Sequence, residues 1–177
     1  MHQSPSRLTS IVAASDNESQ VSLADRPFDI VFFGLITKRR RFLLAESEKY
    51  MAAHPNSSVL VMKTRPREIS YMINAYKKAK VCIIAHSYSN VSGGEYHRLT
   101  EFAEFGCIPV MEDFSDKIGI NQYRQCAHSF FAKQDNLFKT AEDVITLINA
   151  GKIGSDFSHV QWWKEGIAWE KILSNLD

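Results

Sequence analysis

The sequence predicts an α/β domain, a Rossmann-like parallel sheet of about five strands with helices on both faces. Three observations carry this. Short apolar, β-branched runs, FDIVFFG (28–34), SSVLVMK (57–63) and VCIIA (81–85), are separated by segments with a helical period, the spacing of right-handed βαβ crossovers. The third run has the length and composition of a strand covered on both faces. Directly after it, the glycine-containing loop SYSNVSGG (87–94) leads into a charged helix start, the layout by which open α/β sheets bind anions beyond the carboxyl ends of their strands.

Each element follows in order. FDIVFFG is the first strand, and ITKRRRFLLAESEKYMAAH leads into an amphipathic helix that ends before Pro55. SSVLVMK is the second strand, and Pro66, suited to a first helical position, opens the helix PREISYMINAYKKAK. VCIIA is the third strand. A helix from about Glu95 stops at Gly106, and CIPVME (107–112) is the fourth strand. HSFFAK (128–133) reads as a fifth strand, TAEDVITLINAGK as a helix capped by Thr140, and VQWWKEGIAWEKILSNL as a final helix. Its tryptophans Trp162, Trp163 and Trp169 suit core anchors or a sugar platform. Met1 to Pro27, rich in Ser, Asn and Gln, reads as a disordered or loosely attached tail, so the domain spans residues 28–177.

Composition narrows the function. With 177 residues, 45% of them hydrophobic, the chain can bury one core. Its 21 Lys and Arg against 20 Asp and Glu leave a net charge of +1, so no global field recruits nucleic acid or an anionic membrane. The longest apolar run, IVFFGLI, is far below the roughly 20 residues of a membrane span. The odd cysteine count, Cys82, Cys107 and Cys126, lacks zinc spacing and reads as buried thiols in a reducing, cytoplasmic compartment.

The chemistry concentrates on one side of the sheet. At about 100° per residue, Leu99, Phe102, Ala103 and Phe105 share an apolar helix face, yet Glu95 and Arg98 fall on it and Glu101 at its edge. Charges there either face a polar ligand or pair within the helix at i,i+3 spacing. The loop after the first strand holds Gly34 and then Lys38, Arg39, Arg40 and Arg41. Guanidinium and ammonium groups at that place suit a diphosphate, with a solvated basic patch or a nucleic-acid contact as the alternative. His86 and Ser87 end the third strand at the cleft mouth, where His86 is either a proton-transfer group or a structural histidine. The loop has neither a Walker sequence nor a dinucleotide fingerprint, and no carboxylate or histidine cluster has metal spacing.

The string GGEYHRLTEFAEFGCIPVMED (93–113) resembles the donor-sugar motif in the C-terminal half of GT-B glycosyltransferases, exostosin-like and spore-maturation-type members above all. Their R-x-x-E-A-x-x-x-G-C-I-P-V pattern falls on Arg98, Glu101, Gly106, Cys107, Ile108, Pro109 and Val110. The likeness covers roughly residues 28–150. It implies a transferase that takes a nucleotide-sugar as donor substrate, without a metal or other cofactor, and Glu101 as the ribose contact. Gly34, Lys38, Arg39, His86, Ser87, Gly93, Gly94, Glu95, Arg98 and Leu99 would complete the donor site. Eight positions before Glu101 stands Gly93, where many retaining members carry a glutamate, so the stereochemistry stays open. The chain has the length of one GT-B half, and the resemblance therefore implies an acceptor-binding domain or subunit as partner. The other reading is a non-catalytic sugar-nucleotide-binding or protein-interaction module.

Overall fold

The computed structural model describes residues 21–62, 69–87, 105–113 and 130–153. They form a five-stranded sheet, β1 (Phe28–Phe33), β2 (Val59–Met62), β3 (Ala79–Ile84), β4 (Ile108–Glu112) and β5 (Phe130–Ala132), with α1 (Phe42–Ala53), α2 (Ile69–Lys77) and α3 (Leu137–Asn149). The strand order is β2-β1-β3-β4-β5 and every pairing is parallel. This is the expected α/β, Rossmann-like sheet with helices on both faces, in one of the two common doubly wound orders. Among the described residues no helix is long and apolar enough to cross a membrane.

The two-residue period of a strand divides the apolar runs between two cores. Ile30, Phe32, Val81, Ile83, Ile108 and Val110 point to one face, where Leu43 and Tyr50 of α1 and the Leu137, Ala141, Val144 and Ile148 stripe of α3 cover them. Val31, Phe33, Cys82, Ile84 and Met111 point to the other, against Met72, Ala75 and Tyr76 of α2 and Phe105. Burial on both faces is why these strands read as continuous hydrophobic runs. The crossover from β1 to β2 runs one way along the sheet and that from β2 to β3 the other, so right-handedness sends α1 and α2 to opposite faces.

The start of α3 differs from expectation. The apolar period suggested a start at Thr140, but α3 begins three residues earlier, after the turn Gln134–Asn136, and Thr140 lies inside it. Burial of Leu137 and Phe138 against the sheet holds that first turn in helical form without a side-chain cap. At its other end Gly151 (φ 68°) lets the chain reverse, with the Lys152 N–H donating to the Leu147 carbonyl and the Gly151 N–H to that of Ile148, a Schellman closure. The Pro66 helix start, the helix from Glu95 and the C-terminal tryptophan helix lie outside the described residues.

Part of the segment assigned to a loose tail belongs to the folded body. Leu23 is buried in the α1 and α3 core, and Arg26 is only 5% exposed. The Arg26 Nη1 donates to the carbonyls of Ala79 (2.8 Å), Gly106 (2.6 Å) and, more weakly, Tyr76 (3.5 Å). It thereby ties the beginnings of β3 and β4 to the end of α2. Burial pushes its guanidinium down to about 10, still cationic at neutral pH. Arg26→Ala should lower unfolding free energy by about 2 to 4 kcal/mol, from lost charge-assisted bonds and stranded carbonyls. Urea denaturation showing a loss under about 0.5 kcal/mol would remove Arg26 from the fold.

Cys82 and Cys107, expected as free thiols, are joined by a disulfide, their Cα atoms 6.0 Å apart and both side chains fully buried. Cys82 faces Pro109 in the β3/β4 register, which sets Cys107 diagonally opposite on the same face. The cytoplasmic placement rested on free thiols, and the bridge withdraws two of the three from that argument. Alkylation of the denatured, unreduced chain should therefore label Cys126 alone; labelling of all three would refute the bridge.

Candidate functional site

The strand order places a topological switch point between β1 and β3, whose following connections leave in opposite directions. Gly34, at the end of β1, has φ 151° and is buried, a backbone conformation that a side chain would strain. The chain turns there into an exposed Leu35 and then back over the sheet. The Thr37 hydroxyl donates to the Ser87 carbonyl (3.1 Å) and accepts the Arg40 N–H (3.3 Å). The loop after β1 is thus fastened to the chain leaving β3.

The four consecutive cations have different fates. Arg40 is only 2% exposed. Its Nε donates to the Ala85 carbonyl at 2.8 Å, Nη2 bonds the same oxygen, and Nη1 reaches the Leu35 carbonyl at 3.3 Å. The guanidinium carbon lies 5.4 Å from the centre of the Phe32 ring, within cation–π range. Arg40 therefore closes the site's floor. Lys38 and Arg41 are exposed.

Arg39 forms the centre of the polar cluster. Its guanidinium forks onto the Glu112 carboxylate, Nη1 to Oε2 at 2.7 Å and Nη2 to Oε1, while Nη1 also donates to the His86 carbonyl at 3.0 Å. Glu112 ends β4 and is 4% exposed; its Oε2 also accepts the His86 N–H at 2.8 Å. One carboxylate thus joins the ends of β3 and β4 to the loop after β1. The hydrogen bond to Glu112, with its charge adding, raises the Arg39 guanidinium above the ordinary arginine value despite partial burial. A bidentate pair of this kind has fixed geometry as well as charge.

Of the residues expected at the donor site, Gly34, Lys38, Arg39, His86 and Ser87 come together at the carboxyl ends of β1 and β3. His86 is buried, with its backbone held by Glu112 and Arg39. Gly93, Gly94, Glu95, Arg98, Leu99 and Glu101 lie outside the described residues. Sequence reasoning missed Glu112, Thr37 and the structural part of Arg40. An acidic residue closing a strand that is otherwise apolar was the available signal for Glu112, because such a charge must find a partner. Among the described residues, no three His, Cys, Asp or Glu side chains converge as a metal site.

No known family model matches the chain, and a search of curated proteins returns no match.

Proposed function

We propose that the chain is the donor-binding domain of a nucleotide-sugar-dependent glycosyltransferase. The observation that carries this reading is the junction at the switch point, where the loop after β1 is bonded through Thr37 and Arg39 to Ser87 and His86. Doubly wound sheets take their ligands in that crevice, and exposed cations at its rim suit a diphosphate leaving group. In this reading Lys38 meets the diphosphate directly. Arg39, tied to Glu112, holds the loop in place and offers its remaining donor edge. Glu101 accepts from the ribose and Arg98 lies nearby, both assigned through the sequence resemblance. Transfer breaks the bond between the anomeric carbon and the diphosphate while an acceptor oxygen forms the new one. The base that takes the acceptor's proton comes from a second Rossmann-like domain or subunit.

A thermal-shift panel of UDP-, GDP- and ADP-sugars tests the reading, since a specific ligand raises the melting temperature by mass action. For the stabilising ligand, Glu101→Ala should weaken binding by about 1.5 to 3 kcal/mol, the range for bonds to a charged group. Lys38→Ala should weaken the nucleoside diphosphate far more than the nucleoside. No stabilisation by any of the three would sink the proposal. Binding that supports no transfer even with an acceptor-binding half added would leave a non-catalytic binding module.

A further inference from the structure

A cavity of about 310 Å³ lies at the opposite pole of the sheet, where the strands begin. Asp29, Tyr50, His54, Lys80, Glu142 and Asn149 supply most of its chemistry. None of them belongs to the site above, and the cavity's character is set by where the fold puts it. The helices run antiparallel to the strands, so both α1, ending at its cap His54, and α3, ending at Asn149, bring their carboxyl ends to this cavity. Each helix end carries about half a negative charge.

The side chains add to that field. Asp29 and Glu142 are the carboxylates, and Lys80 is committed to Asp29 at 2.8 Å and to the Asn149 side-chain oxygen at 3.4 Å. Glu142 lies 3.4 Å from His54 Nε2 through Oε1, and Lys139 meets its Oε2 from outside at 3.3 Å. The Tyr50 hydroxyl is raised above its ordinary range, first by burial and then by the charges of Asp29 and Glu142, against a hydrogen bond with Ser57. Its ring packs at a tilt against His54, centroids 4.6 Å apart and planes 37° from parallel. Ser57, Thr146 and Asn56 complete the wall with donors and acceptors suited to hydroxyl groups.

We propose that this cavity binds a small hydroxylated organic ammonium compound, of the amino-sugar or amino-alcohol class. The ammonium sits against Glu142 and the two helix ends, and the hydroxyls meet Thr146, Asn149 and Ser57. A bare metal ion fits less well, because it needs several oxygen ligands at once and the described residues contain no three-ligand metal cluster.

The test uses three pyranoses that share a skeleton and differ in charge: glucosamine, glucose and glucuronate. Each is titrated into the full chain and followed by NMR at the Asn56, Thr146 and Asn149 resonances. Glucosamine should saturate with a dissociation constant on the order of 1 mM, glucose should bind at least roughly fivefold more weakly, and glucuronate should not saturate. Glu142→Gln should weaken glucosamine roughly fivefold and Asn149→Asp should tighten it, with circular dichroism confirming that both variants fold. Lys38→Ala, at the other pole, should leave this binding unchanged, which separates it from the proposed nucleotide site. Equal binding of the three sugars, no saturation by glucosamine, or indifference to both charge variants would overturn the proposal.

Discussion

Glu112→Ala is expected to destabilise the protein by about 3 kcal/mol, the lower end of the range for removing one partner of a buried pair. The substitution strands two groups at once: the Arg39 guanidinium loses its bidentate partner and the His86 N–H loses its acceptor. The lower end applies because the Arg39 side chain is 23% exposed and water can solvate part of it. Glu112→Gln keeps one oxygen, which can accept from both the His86 N–H and Arg39 Nη1 while Nη2 loses its acceptor, so it should cost about half as much. Adding Arg39→Met to Glu112→Ala should recover stability, since no unpaired charge then remains. Because pairing raises the Arg39 value, its contribution is fully present below the ordinary arginine range and is lost only as pH rises through the still higher folded value. Urea curves at neutral pH, read at constant slope, decide the matter. A loss below about 1 kcal/mol would reduce the cluster to a surface ion pair. On the proposed function, nucleoside diphosphate binding should fall along with stability, because the loop carrying Lys38 is anchored through this carboxylate.

Phe32→Ala should cost about 3 to 5 kcal/mol. Phe32 is 1% exposed, in the core shared by β1, α1 and α3, and it also lies beneath the Arg40 guanidinium. Truncation opens a cavity and removes the aromatic face from a buried cation. Phe32→Leu separates the two effects: it refills most of the space but forfeits the cation–π contact, so about 1 to 2 kcal/mol should be lost. If Leu and Ala cost the same, the Arg40 contact and not packing would dominate. An Ala variant within about 1 kcal/mol of the parent would contradict the burial on which this account of the core rests.

Sequence alone determined the sheet and which residues stand at its carboxyl pole. Unbroken runs such as IVFF and VCII are demanded by burial on two faces, and their separation by helix-length segments leaves parallel crossovers as the available connection. The placement of Gly34, His86 and Ser87 at strand ends was legible for the same reason, since strand ends follow from strand positions. The partition of the basic run was not. Arg39 and Arg40 are neighbours of the same type, yet one forks onto a carboxylate 73 residues away and the other onto a carbonyl 45 residues away. Those partners become neighbours only once β1, β3 and β4 are in register. The disulfide has the same origin: 25 residues separate Cys82 from Cys107, and only the β3/β4 register makes them adjacent. The early start of α3 was decided by burial of Leu137 and Phe138. Local patterns report what a segment must bury, whereas the partner of a buried charge is chosen by the packing that brings distant strand ends together.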